Sequence, residues 1–154
     1  MGANWTNAPI AIQQGGGIRT SIDATSSNGT ITREDVMLVM PFYNSLTILK
    51  INGKYLKEAL EWSVYRYDPN HEVGRGEFLQ VSGLQIIYDL TKPAGSRVVS
   101  VQVRCSDCNI PHYEPLSEDC DYNIIMPSFL AKGGDNFTEF VDHGTEIIMF
   151  GKFQ

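Results

Sequence analysis

A run of three glycines followed by an arginine is the first part of the sequence whose residue types suggest chemistry. Gly15, Gly16 and Gly17 precede Arg19 in the stretch GGGIR. Glycines let main-chain N–H groups approach a ligand closely, and an arginine offers a planar fork of donors to phosphate or carboxylate. The stretch has neither the Lys-Ser/Thr pair of a Walker loop nor the GxGxxG spacing of a dinucleotide site. It indicates an anion-binding loop, with an ordinary turn as the alternative.

Two further motifs place an aromatic ring or a carboxylate beside a turn. Pro41 ends a predicted helix and Phe42 stands at its exit, where a place in the core is the alternative interpretation. Residues 129–137 read FLAKGGDNF, and the Gly-Gly-Asp turn presents Asp135. A carboxylate on a turn can accept hydrogen bonds from the vicinal hydroxyls of a sugar. Alternatively, Asp135 caps the helix that follows.

The three cysteines allow more than one interpretation. Cys105 and Cys108 form a CxxC pair, which is typical of a redox motif, half of a zinc site or a local disulfide. A zinc site needs two more ligands, and only Cys120 and His112 are near in the sequence. A redox CxxC pair normally lies at the start of a helix. The prolines that follow the pair in this sequence disfavour a helix there. Together with three N-glycosylation sequons, at Asn4, Asn28 and Asn136, the pair favours secretion and a Cys105–Cys108 disulfide.

These residues must be positioned by short helices mixed with strands. The alternation of apolar residues predicts strands over 10–12, 45–51, 83–90, 99–103, 122–126 and 146–150. The strands over 83–90 and 99–103 are predicted to form a hairpin, with Val99, Val101 and Val103 alternating in the second strand. The mixture indicates an α+β fold, or a mixed-sheet α/β fold.

Two helices are predicted with specific buried faces. The first follows a sequence that resembles a capping box, Thr32 to Asp35, and is expected to bury Val36, Val39 and Met40. The second follows the turn Asn52-Gly53 and has its apolar face at helical spacing. The predicted face of the second helix consists of Leu56, Ala59, Leu60, Ser63, Val64 and Tyr67.

Length and composition are those of one globular domain covering residues 1–154. Hydrophobic residues make up 42% and charged residues 19% of the 154, and the net charge is −6. The absence of a long basic run argues against binding to the nucleic-acid backbone. The first residues lack the pattern of a signal peptide, and the chain opens directly into a strand, so we expect a fragment of a longer protein.

The motifs are more specific in combination than singly. GGGIR, NGTIT, PF, GEFLQV, the CxxC pair and FLAKGGDNF follow one another in this order between residues 10 and 137. This order resembles the C-terminal domain of the 5′-nucleotidase family. The family includes ecto-5′-nucleotidases, the salivary apyrases of blood-feeding arthropods and bacterial periplasmic nucleotidases.

The resemblance implies a division of labour between two domains. In the family, an N-terminal metallophosphoesterase domain holds two divalent metal ions, usually zinc, and the catalytic histidine. The C-terminal domain binds the nucleoside and rotates to carry it to the metals. The resemblance therefore implies that this chain is the substrate-binding domain, with layers of helices and mixed sheets, truncated at both ends and without the metallophosphoesterase domain. Its three histidines, His71, His112 and His143, are too scattered to supply a dinuclear site.

The resemblance also implies which residues bind substrate. Two phenylalanines of the family sandwich the adenine, an arginine contacts phosphate and ribose, and an aspartate binds the ribose hydroxyls. The family's CxxC forms a local disulfide, which supports the Cys105–Cys108 pairing. Gln14 stands where the family usually has asparagine and is one methylene longer. The substrate-binding positions correspond to Gln14, Gly16, Gly17, Arg19, Phe42, Phe129, Gly134 and Asp135.

The implied activity is that of a hydrolase in which this chain takes no catalytic part. The resemblance implies a secreted or cell-surface, metal-dependent 5′-nucleotidase or apyrase acting on a nucleotide such as AMP, ADP or ATP. We expect no cofactor, metal ion or catalytic residue in this chain, and no hydrolysis by the chain alone. Its expected partners are the nucleotide and the missing N-terminal domain. The alternative is a non-catalytic nucleotide-binding or dimerisation module, since this domain can mediate homodimerisation in membrane-anchored relatives.

Overall fold

The computed structural model describes residues 6–25, 27–70 and 74–152, which contain eight strands and four α-helices. The strands are β1 (Ile10–Gln14), β2 (Ser45–Asn52), β3 (Leu79–Ser82), β4 (Leu84–Tyr88), β5 (Val98–Arg104), β6 (Tyr113–Pro115), β7 (Asp121–Pro127) and β8 (Thr145–Lys152). The helices are α1 (Arg33–Val39), α2 (Gly53–Ser63), α3 (Ser128–Ala131) and α4 (Thr138–His143).

The strands form two sheets of different character. The larger sheet has the order β3-β1-β7-β2-β8, and the smaller one has the order β4-β5-β6. In the larger sheet β1 and β7 run parallel, with Ile10 opposite Ile124, and the other neighbours are antiparallel. All pairs in the smaller sheet are antiparallel. This mixed sheet with helices confirms the predicted α+β class.

Helix α2 supplies much of the core, as its periodicity predicts. It begins where the side chain of Asn52 accepts a hydrogen bond from the main-chain N–H of Lys54. Every member of its predicted apolar face from Leu56 to Val64 is buried. Tyr67 is exposed because the helix ends at Ser63, before that residue is reached. Phe137 and Phe140, beside and within α4, complete the same cluster.

Helix α1 begins as predicted but packs differently. Thr32 Oγ1 accepts a hydrogen bond from the N–H of Asp35, and Asp35 Oδ2 accepts one from the N–H of Thr32, so the capping box is present. The predicted burial of Val36, Val39 and Met40 is wrong, because no residue of α1 is buried. Helical spacing shows which side chains share a face, but it does not show whether another element covers that face.

The hairpin of β4 and β5 is confirmed, with one change of register. An irregularity follows Ile87, after which Tyr88 lies opposite Val98. Val98 is therefore buried and Val99 is exposed, so the predicted alternation of Val99 with Val101 and Val103 does not hold at the start of the strand. Strands β3 and β6 were not predicted, and helix α4 was expected only in the alternative in which Asp135 caps a following helix. No helix within the described ranges is long and apolar enough to cross a bilayer.

Candidate functional site

Two of the predicted motifs meet because β1 and β7 are parallel neighbours. The carboxyl ends of parallel strands lie at the same edge of a sheet. Gly15 to Gly17 follow β1 directly, and Phe129 follows β7 by two residues. The pairing of Ala11 with Ile125 sets these two strand ends side by side. The glycine loop and the Phe129 segment therefore leave the sheet at the same edge.

The third motif reaches this edge from the opposite direction. Strand β2 is antiparallel to β7, with Leu46 opposite Pro127, so the beginning of β2 lies beside the end of β7. Phe42 precedes β2 by three residues. Three segments that are far apart in the sequence thus converge on one edge of the larger sheet.

The glycine loop is built for contact with a neighbouring main chain. Gly15 donates its N–H to the carbonyl of Phe78 at 2.7 Å, and Gly16 donates to the carbonyl of Gly76 at 2.8 Å. A Cβ on Gly16 would lie 3.1 Å from the Cα of Gly76, so a larger residue would push the two chains apart. These two N–H groups are used inside the protein, contrary to the expectation that they face a ligand.

The side chain of Gln14 lies beneath this loop. Gln14 is only 3% exposed, and its amide nitrogen would lie 3.2 Å from a Cβ on Gly17. Gln13 donates a hydrogen bond to the Gln14 side-chain oxygen at 3.3 Å and lines the neighbouring cavity. Gln14 therefore supports the loop from within, whereas the adjacent Gln13, which was not predicted, faces the open space.

Arg19 and Phe42 lie together. The guanidinium carbon of Arg19 is 5.9 Å from the centroid of the Phe42 ring, within range of a cation–π contact. The main-chain N–H of Arg19 bonds the carbonyl of Val39 at 2.8 Å, which ties the glycine loop to the end of α1. The Phe42 ring is 54% exposed, so the alternative of a core position for it is excluded.

Phe129, Gly134 and Asp135 form a second group. A Cβ on Gly134 would lie 2.4 Å from the Phe129 ring, so only glycine leaves room for the ring in this position. Asp135 and Asn136 both have left-handed backbone conformations, with φ of 52° and 64°. No side chain caps α4, so the alternative of Asp135 as a helix cap is also excluded.

Three residues that were not predicted surround Asp135. The indole N–H of Trp62 donates to the main-chain carbonyl of Asp135 at 2.9 Å. Arg66 makes two hydrogen bonds, of 2.7 and 2.9 Å, to the carboxylate of Glu77, which is 2% exposed. Trp62 lies off the apolar face of α2 and Arg66 lies beyond its end, so periodicity carries no signal for either residue. Glu77 belongs to the GEFLQV motif, which contributes to the resemblance only through its place in the order of motifs.

The charges of this group are coupled. Burial alone would raise the pKa of Glu77, but the hydrogen bonds and positive charge of Arg66 outweigh it and hold that pKa below its usual value. Partial desolvation raises the pKa of Asp135, and the negative charge of Glu77 adds to the effect. Arg66 opposes this rise, so the pair of Arg66 and Glu77 sets the electrostatic surroundings of Asp135.

Two cavities open at this edge of the sheet. One of about 410 Å³ lies between α1 and the sheet and is lined by Phe42, Gln13 and Gly17 among others. The other, of about 730 Å³, is lined by Gly15, Gly16, Arg19 and Phe78 among others. Phe129 and Asp135 line neither cavity, and the ring pairs of the described residues do not include one between Phe42 and Phe129.

The cysteines are paired as expected. Cys105 and Cys108 form a disulfide with a Cα–Cα distance of 5.8 Å, and Cys120 is free and exposed. Within the described ranges, one group of three or more potential metal ligands occurs, and it consists of this pair with His112 and Glu114. His143 stacks on Tyr55, with ring centroids 3.5 Å apart. His71 and Asn4 lie outside the described residues.

These side chains do not fit a two-metal hydrolytic centre. Such a centre uses histidine and carboxylate ligands around two ions and keeps positions open for water and substrate. The one ligand group in the described part of the chain has its sulfurs bonded to each other and lies on the hairpin of the smaller sheet, outside the group around Asp135. The described residues of this chain therefore offer no site for metal-dependent hydrolysis.

Comparison with known proteins agrees with the motif order. Residues 1–142 match the family described as 5′-nucleotidase, C-terminal domain. The snake venom 5′-nucleotidase of Crotalus adamanteus is 46% identical over 133 residues, which are 86% of this chain and 22% of that protein. The 5′-nucleotidase of Homo sapiens is 44% identical over 138 residues, which are 90% of this chain and 23% of that protein.

The fold agrees with a solved structure as well. The crystal structure of the 5′-nucleotidase precursor from Thermus thermophilus superposes with a TM-score of 0.78 and 40% sequence identity, over 91% of this chain and 25% of that one. This chain spans a quarter or less of each of these three relatives, which are 5′-nucleotidases and hence hydrolases. The chain belongs to the 5′-nucleotidase family, as its C-terminal domain.

Proposed function

We propose that this chain is the nucleotide-recognition domain of an extracellular, metal-dependent 5′-nucleotidase or apyrase. Its substrate is an adenine nucleotide such as AMP, ADP or ATP, and its partner is an N-terminal metallophosphoesterase domain that binds two divalent ions such as zinc. Membership of the family and the named 5′-nucleotidase relatives support this proposal. The relatives from venom, together with the Cys105–Cys108 disulfide, support an extracellular location.

One observation carries the proposal at the level of residues. Phe42 and Phe129, exposed by 54% and 38%, both stand at the edge of the sheet where three segments converge. Exposed aromatic rings that stand near each other can form a binding surface for an apolar ligand group. Each face of a purine can stack on a phenyl ring, which contributes about 1–3 kcal/mol. In this proposal, the two rings hold the base between them.

The polar neighbours of the rings suit the rest of a nucleotide. Arg19 lies beside Phe42 and offers donors to phosphate, while Asp135 lies beside Phe129 and offers acceptors to the ribose hydroxyls. The ribose therefore lies toward Asp135, and the phosphates extend toward Arg19. The remaining substrate-binding positions shape the glycine loop and the Gly-Gly-Asp turn, and they are Gln14, Gly16, Gly17 and Gly134. Gln14 is buried and acts through the glycine loop above it.

The two aromatic rings provide the test of this function. We expect Phe42→Ala and Phe129→Ala each to weaken adenosine binding by about ten- to a hundredfold, because each removes one stacking face. The melting temperature should change little, since both rings are exposed. The control is Ile110→Ala, which removes an exposed apolar side chain from the smaller sheet's hairpin loop. Unchanged adenosine affinity in both phenylalanine variants would contradict the proposal.

Hydrolysis provides a separate test. We expect the isolated chain to release no phosphate from AMP or ADP, with or without added zinc, because the described residues offer no ligand set for a two-metal centre. Phosphate release above background that depends on added metal, and that survives repurification, would overturn the division of labour proposed here.

A further inference from the structure

The hairpin of β5 and β6 brings four potential metal ligands together, in a region that the proposed nucleotide site does not use. Arg104 pairs with Tyr113 at the end of the ladder, and the N–H of Cys105 donates to the carbonyl of His112 at 2.8 Å. Cys105 and His112 are therefore cross-strand neighbours. Glu114 follows His112 by two residues, so both side chains project from the same face of the strand.

Distances and orientation within this group favour a metal ion. The ligand atoms of Cys105, Cys108, His112 and Glu114 all lie within 4.8 Å of one another. His112 Nε2 is 2.8 Å from Glu114 Oε1 and 4.0 Å from Cys108 Sγ. His112 Nδ1 is hydrogen-bonded to the carbonyl of Ile110 at 3.1 Å. Metal-binding histidines typically use the second ring nitrogen in this way, which aims the first at the metal.

We propose that this hairpin binds one zinc ion, through the two sulfurs, His112 Nε2 and one oxygen of Glu114, when the Cys105–Cys108 disulfide is reduced. Zinc bonds of 2.0–2.3 Å in a tetrahedron place ligand atoms about 3.3–3.8 Å apart. The two sulfurs must therefore separate once the disulfide is reduced, and the most distant ligand atoms must approach each other by about 1 Å. This inference is independent of the proposed nucleotide site.

The disulfide and the zinc site exclude each other. A dithiol reductant supplies two electrons and two protons to the S–S bond, which yields two cysteine thiols while the reductant becomes a disulfide. Each thiol then releases its proton as the sulfur binds zinc, because the thiolate is the ligand. In the reverse direction a disulfide oxidant takes up two electrons from the two thiolates and is reduced to thiols, which re-forms the Cys105–Cys108 bond and releases the ion. The hairpin thus has two alternative cross-links, and the redox state selects between them.

Cobalt provides a spectroscopic probe of this site. We would reduce the whole 154-residue chain with a phosphine, remove the reductant without oxygen and titrate with Co²⁺. The expected result is one Co²⁺ per chain, with a sulfur-to-cobalt charge-transfer band and the visible bands of tetrahedral cobalt, both abolished by one equivalent of zinc. The oxidised chain should show neither band. The absence of a thiolate band from the reduced chain would overturn the proposal.

Variants separate this site from unspecific thiol binding. Cys105→Ser should abolish the band, and Cys120→Ser, at the exposed free cysteine, should leave it unchanged. Because Cys105 is buried and its replacement can disturb folding, the exposed His112→Ala is the second test, with an expected loss of cobalt affinity of about tenfold or more. A band that persists undiminished in either Cys105→Ser or His112→Ala would refute the assignment of the ligands.

Discussion

The indole N–H of Trp62, at the end of α2, donates a hydrogen bond to the main-chain carbonyl of Asp135, 2.9 Å away. Asp135 has a left-handed backbone conformation, which is costly for a residue other than glycine unless the surroundings hold it. The bond therefore links the core helix to the turn that carries Asp135 and follows helix α3, which carries Phe129. It makes Trp62 a positioning residue for the proposed ribose contact.

We expect Trp62→Phe to weaken adenosine binding although Trp62 itself need not contact the ligand. The variant keeps an aromatic ring but loses the donor, and one hydrogen bond contributes about 0.5–1.5 kcal/mol, or about two- to twelvefold in affinity. Titration with adenosine gives the affinity, and a thermal melt checks the fold. The control is Tyr113→Phe, which removes a hydroxyl from the smaller sheet. Equal affinities for Trp62→Phe and the unaltered chain would show that the bond has no positioning role.

A second prediction concerns the space under the Phe129 ring. A Cβ at residue 134 would lie 2.4 Å from the ring, so Gly134→Ala must displace it. We expect adenosine affinity to fall by about ten- to a hundredfold, as for the loss of the ring itself. The cost in stability should be at the low end of the 1–3 kcal/mol typical of overpacking, about 1 kcal/mol, because the ring is partly exposed and can turn outward.

Gly74→Ala is the matched control for this substitution. A Cβ at Gly74 meets no atom within 4 Å, so both affinity and melting temperature should stay unchanged. If Gly134→Ala binds adenosine as well as Gly74→Ala does, then the position of the Phe129 ring has no bearing on binding.

The pair of Arg66 and Glu77 should make stability depend on pH. The pKa of Glu77 is lowered in the folded state, so its contribution is present above the unfolded pKa of about 4.3 and is lost as the pH falls through the folded pKa. Arg66→Met leaves the buried carboxylate without this partner. We expect the melting temperature to fall by a few degrees at pH 7, and the difference from the unaltered chain to shrink below about pH 4.

Melts over this pH range provide the measurement. The control is Lys57→Met, since Lys57 pairs with Glu118 at the surface, where both side chains are about half exposed. A loss of stability in Arg66→Met that is as large at about pH 3 as at pH 7 would mean that packing of the arginine, and not its charge, is what matters.

The contribution of Glu139 to stability should depend on pH in the opposite direction. One oxygen of this side chain is buried without a hydrogen-bond partner, and desolvation raises its pKa. The folded state therefore binds more protons than the unfolded state just above the unfolded pKa, and stability falls as the pH rises through that window. We expect Glu139→Gln, which removes the charge and keeps the shape, to raise the melting temperature at pH 7 by about 2–5 °C.

This gain should vanish at acid pH, where both forms are neutral. Glu34→Gln, at an exposed position in the first turn of α1, is the control and should show no such gain. A Glu139→Gln variant that is no more stable at pH 7 than the unaltered chain would mean that the folded protein solvates this carboxylate.

Sequence patterns predicted correctly those features whose physical cause lies within a few residues along the chain. The capping box from Thr32 to Asp35 and the buried face from Leu56 to Val64 were predictable, because side chains on one face of a helix recur at fixed spacing and the two capping residues lie three residues apart. The same spacing failed for α1, because its apolar side chains border a cavity. Strands β3 and β6, of four and three residues, are too short for alternation to be read.

The family and the identity of the motif residues could be read from the order of motifs alone, because side-chain chemistry and sequence order need no coordinates. Their arrangement required the tertiary structure. Phe42 and Phe129 reach one edge only because β7 pairs parallel with β1 and antiparallel with β2, and such long-range pairing leaves no local trace in the sequence. The roles of Trp62 and of the pair of Arg66 and Glu77 depend in the same way on contacts between segments that only folding brings together.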